Sequence, residues 1–436
     1  MFGRVAALVL SHRVAFAVAV VSSTVALALG ALRLHFDFRF TGFMGSRDPA
    51  HAQLAPFIEA WGRADDRLLL LAEVVDGTLL EPTRLRAVDA ALGDVAAIEA
   101  VGTITSLTGT PRNVSTRPGV IEVRALRDTV PDDDVARARW QQEVLSDPDL
   151  VPALMARSGR ATVAIAPLRI DTDDILDVRP AVEAVRAALG RHQGREGIRW
   201  VAAGIPAVRS DLVDLLLHDT LRFAALSLVV AVFLLMLMFR SLHGVIVPLG
   251  STVIPVVMLY GIMGWLNEPI GLLSQIYVTL IPAIAVADGI HIVARFHEEV
   301  RARTGGGGRL SAQVRAQSIV ATLEKVGAAC LFTSLTTAVG FASLIVADMH
   351  VLRSFGVFAA LGILLAFLTM LVVVPLLLSL VPAVAMAPAT GLRSDRWLGA
   401  TARFTLRYPR RILLACAVFV VVAGMLGSRV KVDNWL

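Results

Sequence analysis

The chain has 436 residues, of which 56% are apolar and only 18% are charged, and its formal net charge is +5. An ordinary soluble domain is about 45–50% apolar and about 25% charged, so this composition argues against a soluble monomer. Two cysteines, and glycine without a three-residue period, exclude the disulfide-scaffold and collagen-like classes.

Apolar stretches long enough to cross a membrane recur along the chain. A helix needs about 20 predominantly apolar residues to span a hydrocarbon core of about 30 Å. Seven stretches meet this requirement, at residues 14–32, 223–239, 244–266, 272–294, 326–347, 355–381 and 412–427. We therefore predict an α-helical polytopic membrane protein with about seven spans.

Basic residues are concentrated in alternate connections between these stretches. Arg4 and Arg13 precede the first span, and the connections 295–325 and 383–411 hold most of the others, whereas the opposite short loops hold just Arg353. By the positive-inside rule, the amino terminus and both basic connections are predicted to be cytoplasmic. The positive net charge is then explained by the orientation of the spans in the membrane, and nucleic acid is not an expected partner.

The first span has an alternative interpretation as a signal peptide, because arginines precede it and small residues end it. Its length and an internal repeat favour a membrane span. Four residues recur 396 positions later with an apolar run between them both times. The pairs are Gly3 and Gly399, Leu10 and Leu406, Arg33 and Arg429, and Asp37 and Asp433. We interpret them as the openings of two tandem repeats, the second of which begins shortly before Leu436.

Residues 34–220 have the character of a water-soluble domain on the outer side. Alternating and helical patterns predict strands at 66–75, 101–107, 161–170 and 198–203, and helices at 81–97, 135–145 and 178–189. Two rounds of strand and helix predict an α+β sandwich of the split-βαβ (ferredoxin-like) type. From residue 208 a helical pattern enters the second span without a breaker, so outer-domain movement and tilt of this span are predicted to be linked.

Two motifs fail as ligand sites. The acidic cluster at Asp171, Asp173, Asp174 and Asp177 lacks the glycine and glutamate of a calcium loop, so we interpret it as helix-start acids. The glycines at 305–308 are not followed by the Lys-Ser or Lys-Thr pair of a phosphate loop and predict a flexible connection. Cys330 and Cys416 lie in spans as packing residues. No metal, cofactor or enzymatic activity is expected.

The residue that points to a mechanism is Asp288, in the fourth span. A charged side chain at the centre of a membrane helix costs about 2.5–3.5 kcal/mol, so Asp288 is expected to face protein or water. His291 follows at helical spacing and could share a proton with it. Pro282 removes a backbone hydrogen bond and could kink the helix. The alternative is that Asp288 and His291 are merely solvated at the cytoplasmic boundary.

The fifth span supplies hydroxyl groups and a small residue. Thr333, Ser334 and Thr337 form a candidate supporting polar face, and Gly340 follows as a candidate hinge. Faces of this kind mediate helix packing more often than proton transfer, so both interpretations stay open. Gly204 and Pro206, just before the second span, are a second candidate hinge.

Several motifs resemble the resistance-nodulation-division superfamily, and in particular its MMPL-type and hydrophobe-exporter branch, whose membrane core is similar to the sterol-sensing domain. The motifs are 285–299 (AVADGIHIVARFHEE), 333–343 (TSLTTAVGFAS), 239–241 (FRS), 204–206 (GIP), 36–38 (FDF) and 48–50 (DPA). The resemblance covers nearly the whole chain and is strongest over 204–382. The acid of the family's fourth span matches Asp288, but Gly289 stands where the family commonly has an acidic or aromatic partner.

The resemblance implies a bacterial inner-membrane permease that exports a hydrophobic or lipid-like substrate by proton antiport. The implied partners are membrane lipids, an amphipathic substrate, a second half-transporter or a further copy of the chain, and a periplasmic acceptor protein. The alternative is a non-transporting lipid-sensing scaffold. The expected organisation is 1–33 (amino-terminal segment and first span), 34–220 (periplasmic porter domain), 221–294 (spans two to four), 295–325 (cytoplasmic connection), 326–382 (spans five and six), 383–411 (cytoplasmic linker) and 412–436 (seventh span).

Overall fold

The computed structural model describes residues 1–37, 49–61, 63, 65–117, 120–170, 175–305, 310–380 and 393–429. Within them, seven helices are long and apolar enough to cross a membrane. They are Arg13–Arg33, Ile205–Phe239, Leu242–Trp265, Ser274–Thr304, Ala312–Val346, His350–Ser379 and Pro409–Gly427. Each overlaps one apolar stretch found in the sequence, so the prediction of about seven candidate spans is confirmed.

The described residues form fourteen α-helices and five strands. The helices are α1 (Phe2–Ser11), α2 (Arg13–Ala28), α3 (Pro49–Trp61), α4 (Pro82–Ala96), α5 (Asp134–Ser146), α6 (Ile175–Gly190), α7 (Ile205–Phe239), α8 (Leu242–Gly250), α9 (Val253–Trp265), α10 (Tyr277–Thr304), α11 (Ala312–Ala342), α12 (His350–Ser379), α13 (Arg393–Arg407) and α14 (Pro409–Gly427). The strands are β1 (Arg67–Val74), β2 (Pro111–Arg117), β3 (Val120–Ala125), β4 (Ala161–Pro167) and β5 (Ile198–Ala203).

The segment between the first two spans, which the sequence predicts to lie on the outer side and which we call the outer domain, is built on a three-stranded antiparallel sheet of order β4-β1-β5. Alternate residues of β1 are buried because successive side chains of a strand point to opposite faces. These residues join apolar side chains of α4 and α6 in one hydrophobic core. The members from β1, α4 and α6 include Leu68, Leu70, Ala72, Val74, Leu85, Val88, Leu92, Val182 and Val185.

The predicted strand at 101–107 is wrong as a regular strand. Val101 pairs with Leu168 and Thr105 with Ile165 as isolated bridges, and the register slips by one residue between them. Pro167 lies in this interval and has no N–H to donate, which interrupts a continuous ladder. The hairpin of β2 and β3 and the helix α3 were not predicted from the sequence.

Helix α7 is continuous over 35 residues, as the sequence predicts. It starts directly after Gly204, whose φ is +105° and whose Cα lies so close to β1 that an added Cβ would stand 2.5 Å from the Arg67 carbonyl oxygen. Glycine is the residue that tolerates both the positive φ and this approach. Pro206 occupies the first turn of the helix, where a missing N–H costs no hydrogen bond. The outer sheet therefore leads directly into a membrane span.

The two ends of the chain repeat one local structure. Helix α1 is separated from α2 by His12, and α13 is separated from α14 by Tyr408, exactly 396 positions later. The backbone angles at the two breaks are nearly the same, φ −124° and ψ 46° at His12 against φ −127° and ψ 42° at Tyr408. This agreement supports the tandem repeat inferred from the sequence.

The first span meets α9 through three glycines. An ideal Cβ on Gly30 would lie 2.1 Å from the Gly261 carbonyl oxygen, one on Gly261 would lie 2.0 Å from Leu27 O, and one on Gly264 would lie 1.9 Å from Gly30 O. These distances leave no room for a methyl group. The close crossing therefore depends on glycine at each position.

Replacing Gly261 with alanine is expected to lower the free energy of unfolding by about 1–3 kcal/mol, because the backbones must separate to admit the methyl group. The measurement is thermal unfolding of the purified protein in detergent. Gly340→Ala is the matched control, since an added Cβ there meets nothing within 4 Å. An equal effect of the two substitutions contradicts the crossing as described.

Candidate functional site

Asp288 lies at a junction of three helices, with a residue exposure of 8%. Ser334 of α11 donates a hydrogen bond from Oγ to its Oδ2 over 3.1 Å. On the other side α8 approaches closely, since a Cβ on Gly289 would lie 3.0 Å from Pro248 Cα. Glycine after the acid therefore lets α8 pack closely against α10 beside Asp288, and the low exposure of Asp288 places it inside the bundle rather than on its outside.

Two further side chains of α11, Cys330 and Thr333, are polar neighbours of the Asp288 carboxyl group, and His291 of α10 interacts with it electrostatically. His291 is exposed although it is only three residues from Asp288. Positions three apart differ by about 60° around a helix, which is enough to move a side chain from the edge of a buried face to the outside. The carboxyl group thus lies between a buried hydroxyl and an imidazole on the outer surface of α10.

Among the hydroxyl side chains of α11, some face Asp288 and others face the outside of the bundle. Ser334 is buried against Asp288, whereas Thr333 is exposed and bonds the Ala329 and Cys330 carbonyls. Thr337 donates to the Thr333 carbonyl over 2.7 Å. Near Gly340 no atom lies within 4 Å of an ideal Cβ. The structure therefore brings Ser334, and at longer range Thr333, to Asp288, and leaves Thr337 and Gly340 apart from it.

Cys330 belongs to the site although the sequence suggested only packing. It is 3% exposed, and it lies one helical turn before Ser334, on the same side of α11. The i, i+4 spacing to Ser334 is the signal that could have placed it beside the acid. Pro282 lies inside α10, about two turns before Asp288.

A second polar cluster joins α10 to α11 farther along the same interface. The Glu299 carboxylate, with its side chain 8% exposed, accepts from Lys325 Nζ of α11 over 2.7 Å and from Arg295 Nη2 over 2.9 Å. Arg303 Nη2 stands 3.7 Å from the same carboxylate. One buried acid therefore interacts with three cations, and Lys325, near the middle of α11, joins that helix to α10. The sequence did not single out this residue.

Glu299→Gln is expected to lower the free energy of unfolding by about 1–3 kcal/mol, because an amide keeps the shape but loses charge-assisted hydrogen bonds. Thermal unfolding in detergent measures the change. Glu298→Gln is the control: its side chain is 66% exposed and contacts Arg295 over 2.6 Å, so about 0–1 kcal/mol is expected. Equal losses in the two variants would show that Glu299 does not join the helices.

The first third of α7 is bound to the outer domain by ion pairs and by apolar packing. Arg186 of α6 donates to both carboxylate oxygens of Asp211, over 2.6 and 2.8 Å. Arg179, about two helical turns before Arg186, lies 2.8 Å from Asp214. Val213 between them is 1% exposed and belongs to the core of the outer domain. The start of α7 is therefore part of the outer domain, and its remainder is a membrane span.

An ion pair in the chain before β1 lies near Arg209 of α7. Arg63 donates from Nε and Nη2 to the two oxygens of Asp65, each over 3.1 Å. Burial opposes ionisation of Asp65, but Arg63, with a contribution from Arg209 of α7, outweighs it and lowers the pKa of the carboxyl group. Because the pKa is lowered, ionised Asp65 stabilises the fold above its ordinary pKa, and this contribution is lost as the pH falls through the lowered value.

Among the residues that the structure describes, no group of three or more His, Cys, Asp or Glu side chains could hold a metal ion. The sequence-derived motifs at Asp48, 171–174 and 306–308 lie outside the described residues. Asp177 is in the first turn of α6, where an acid complements the helix dipole.

Comparison with known proteins places this arrangement in a family. A family model described as the MMPL family matches residues 76–412. A predicted membrane protein of Methanocaldococcus jannaschii is 28% identical over 183 residues, which cover 42% of this chain and 45% of that protein. A predicted membrane protein of Streptomyces coelicolor is 27% identical over 296 residues, which cover 63% of this chain and 40% of that protein. The chain therefore spans less than half the length of both relatives.

Proposed function

Because the chain belongs to the MMPL family, we propose that it is a multi-pass transporter of the bacterial inner membrane that exports a hydrophobic or amphipathic substrate in exchange for protons. The observation that carries this proposal is the buried carboxyl group of Asp288 between α8, α10 and α11. A carboxyl group inside a membrane bundle is costly to keep charged. Such groups therefore mark sites where a proton is taken up and released during function.

The surroundings of Asp288 support proton exchange. Ser334 is a neutral donor that can bond the carboxylate and can accept from the protonated acid after its hydroxyl rotates. His291 lies on the outer surface of the same helix, within electrostatic range of the acid, and can exchange protons with water or a partner group. Asp288 would carry the proton, and His291 would relay it.

The outer domain is proposed to be a porter domain of the split-βαβ type on the periplasmic side. The sheet order β4-β1-β5 supports this topology, with residues 101–105 bridged to the free edge of β4 and α4 and α6 in the shared core. The basic connections support a cytoplasmic amino terminus. The domain would receive the substrate from the membrane and could pass it to a periplasmic acceptor protein.

A second half-transporter, or a second copy of the chain, is proposed to cover the outward surface of α10 and α11. His291 and Thr333 are exposed there on helices that are long and apolar enough to span a membrane, and ionisable residues in spans rarely face lipid. The greater length of both relatives and the repeated break at Tyr408 support a second half of similar design.

Efflux of Nile red, an amphipathic fluorescent dye, tests the proposal in cells that express the full chain. Cells are loaded while de-energised and then given an energy source, with and without a protonophore. Export is expected on energisation and is expected to stop with the protonophore. Efflux that ignores the protonophore would contradict proton coupling, and equal dye retention with and without the protein would favour the lipid-sensing scaffold.

A further inference from the structure

A groove of about 520 Å³ lies where α1, the start of α2, the end of α10 and the first half of α11 meet. Leu10 and Val320 belong to its apolar lining, and Arg13, Arg303 and Glu324 are its charged residues. Two arginines against one glutamate leave the lining with an excess of one positive charge. Arg13 is the first residue of α2, so the groove lies where a membrane span begins.

The charged groups are already oriented. Arg13 donates from Nε to the Leu10 carbonyl over 3.1 Å, which ties its guanidinium group to the end of α1. Arg303 stands 3.7 Å from Glu299, farther than Lys325 and Arg295. Glu324 packs against Gly3, near the amino terminus of α1, where a negative charge complements the helix dipole. The acid is thus directed to α1, and the arginines supply the positive charge of the groove.

A second, apolar hollow of about 480 Å³ lies open along the exposed face of α2, which supplies all of the residues that line it. Ala17, Val21 and Val25 belong to its lining and follow Arg13 at four-residue intervals, so each lies about 40° around the helix from the one before. From Arg13 to Val25 the helix rises about 18 Å. One leaflet of a hydrocarbon core of about 30 Å has a similar depth.

We propose that this surface binds one anionic glycerophospholipid, with its phosphate at Arg13 and Arg303 and an acyl chain along α2. Guanidinium groups form charge-assisted hydrogen bonds to phosphate oxygens. The apolar hollow selects a lipid over a free phosphate, since inorganic phosphate has nothing to bury there. A phosphatidylcholine headgroup brings a positive charge into a positive groove, whereas phosphatidylglycerol does not.

Native mass spectrometry of the purified full chain in detergent tests this assignment with dioleoyl-phosphatidylglycerol and dioleoyl-phosphatidylcholine as probes. We expect one molecule of phosphatidylglycerol to be retained in clear preference to phosphatidylcholine. Arg13→Gln and Arg303→Gln are each expected to lower its occupancy about fivefold, which is the contribution of one basic residue near an anionic lipid. Arg13→Lys is expected to keep most of the binding, and Ala17→Phe, which fills the hollow, is expected to lower the binding of both lipids.

Arg4→Gln is the matched control, because Arg4 is an exposed arginine of α1 outside the lining of the groove. The occupancy of phosphatidylglycerol on this variant is expected to equal that on the unchanged protein. The unfolding temperature of every variant shows whether it is folded. Equal retention of the two lipids, an equal loss in Arg4→Gln, or displacement of phosphatidylglycerol by inorganic phosphate at the same concentration would each overturn the proposal.

Discussion

Replacing Asp288 with asparagine is expected to reduce proton-driven export to the level of cells without the protein. Asparagine keeps the size of the side chain and a bond to Ser334, but it cannot take up and release a proton. One elementary charge crossing 100 mV supplies about 2.3 kcal/mol, so loss of one coupled proton removes a concentration ratio of about 50-fold. The measurement is the initial rate and final extent of Nile red efflux at matched protein level in the membrane.

Two control variants separate coupling from folding. Glu298→Gln neutralises an exposed acid at the end of the same helix and is expected to leave efflux unchanged. Ser334→Ala removes the hydrogen bond to Asp288 but keeps the acid, so a partial loss is expected. Full efflux by Asp288→Asn at normal expression would remove this residue from the transport mechanism.

Placing proline at Asp219 is expected to lower efflux about tenfold or more, since proline in a helix interior costs about 3 kcal/mol and bends the helix. Asp219 follows the part of α7 that Arg186 and Arg179 hold to the outer domain, and it precedes the membrane span. The substitution therefore interrupts the connection along which domain movement would reach the span. Efflux is measured as for Asp288.

Asp219→Ala is the matched control for this helix. It removes the same side chain and its contact of 3.9 Å with Arg222, but it keeps α7 continuous. We expect normal efflux from this variant. Limited proteolysis of the proline variant should show an intact outer domain and bundle, because the substitution touches neither core. Full activity of the proline variant would show that the outer domain and the span work without a rigid connection.

Local sequence signals predicted the spans, the continuous α7 and the location of Asp288 of α10 away from lipid. Each depends on composition or spacing within one segment, and apolar length alone decides whether a helix can cross a membrane. Gly204 and Pro206 were also recognisable as a pair in the sequence; the structure shows that they start α7 beside β1, and their role as a hinge stays a prediction.

The features that sequence could not place depend on packing between distant segments. Glu299 looks like any acid at the end of a helix until Lys325 of α11 comes within 2.7 Å of it. Cys330 becomes a neighbour of Asp288 only through the register of α10 against α11. The strand expected at 101–107 reduces to two bridges because Pro167, in a different segment, lies opposite it. In each case the deciding group is far away in sequence.

The central claim is that the Asp288 carboxyl group takes up and releases a proton inside the membrane bundle. Infrared difference spectroscopy of the full chain in lipid membranes observes this directly, through the C=O band that a carboxyl group shows only when protonated. The account predicts a band that appears on acidification, shifts in Ser334→Ala and is missing in Asp288→Asn. A pH-dependent spectrum that is identical in the unchanged protein and in Asp288→Asn would contradict it.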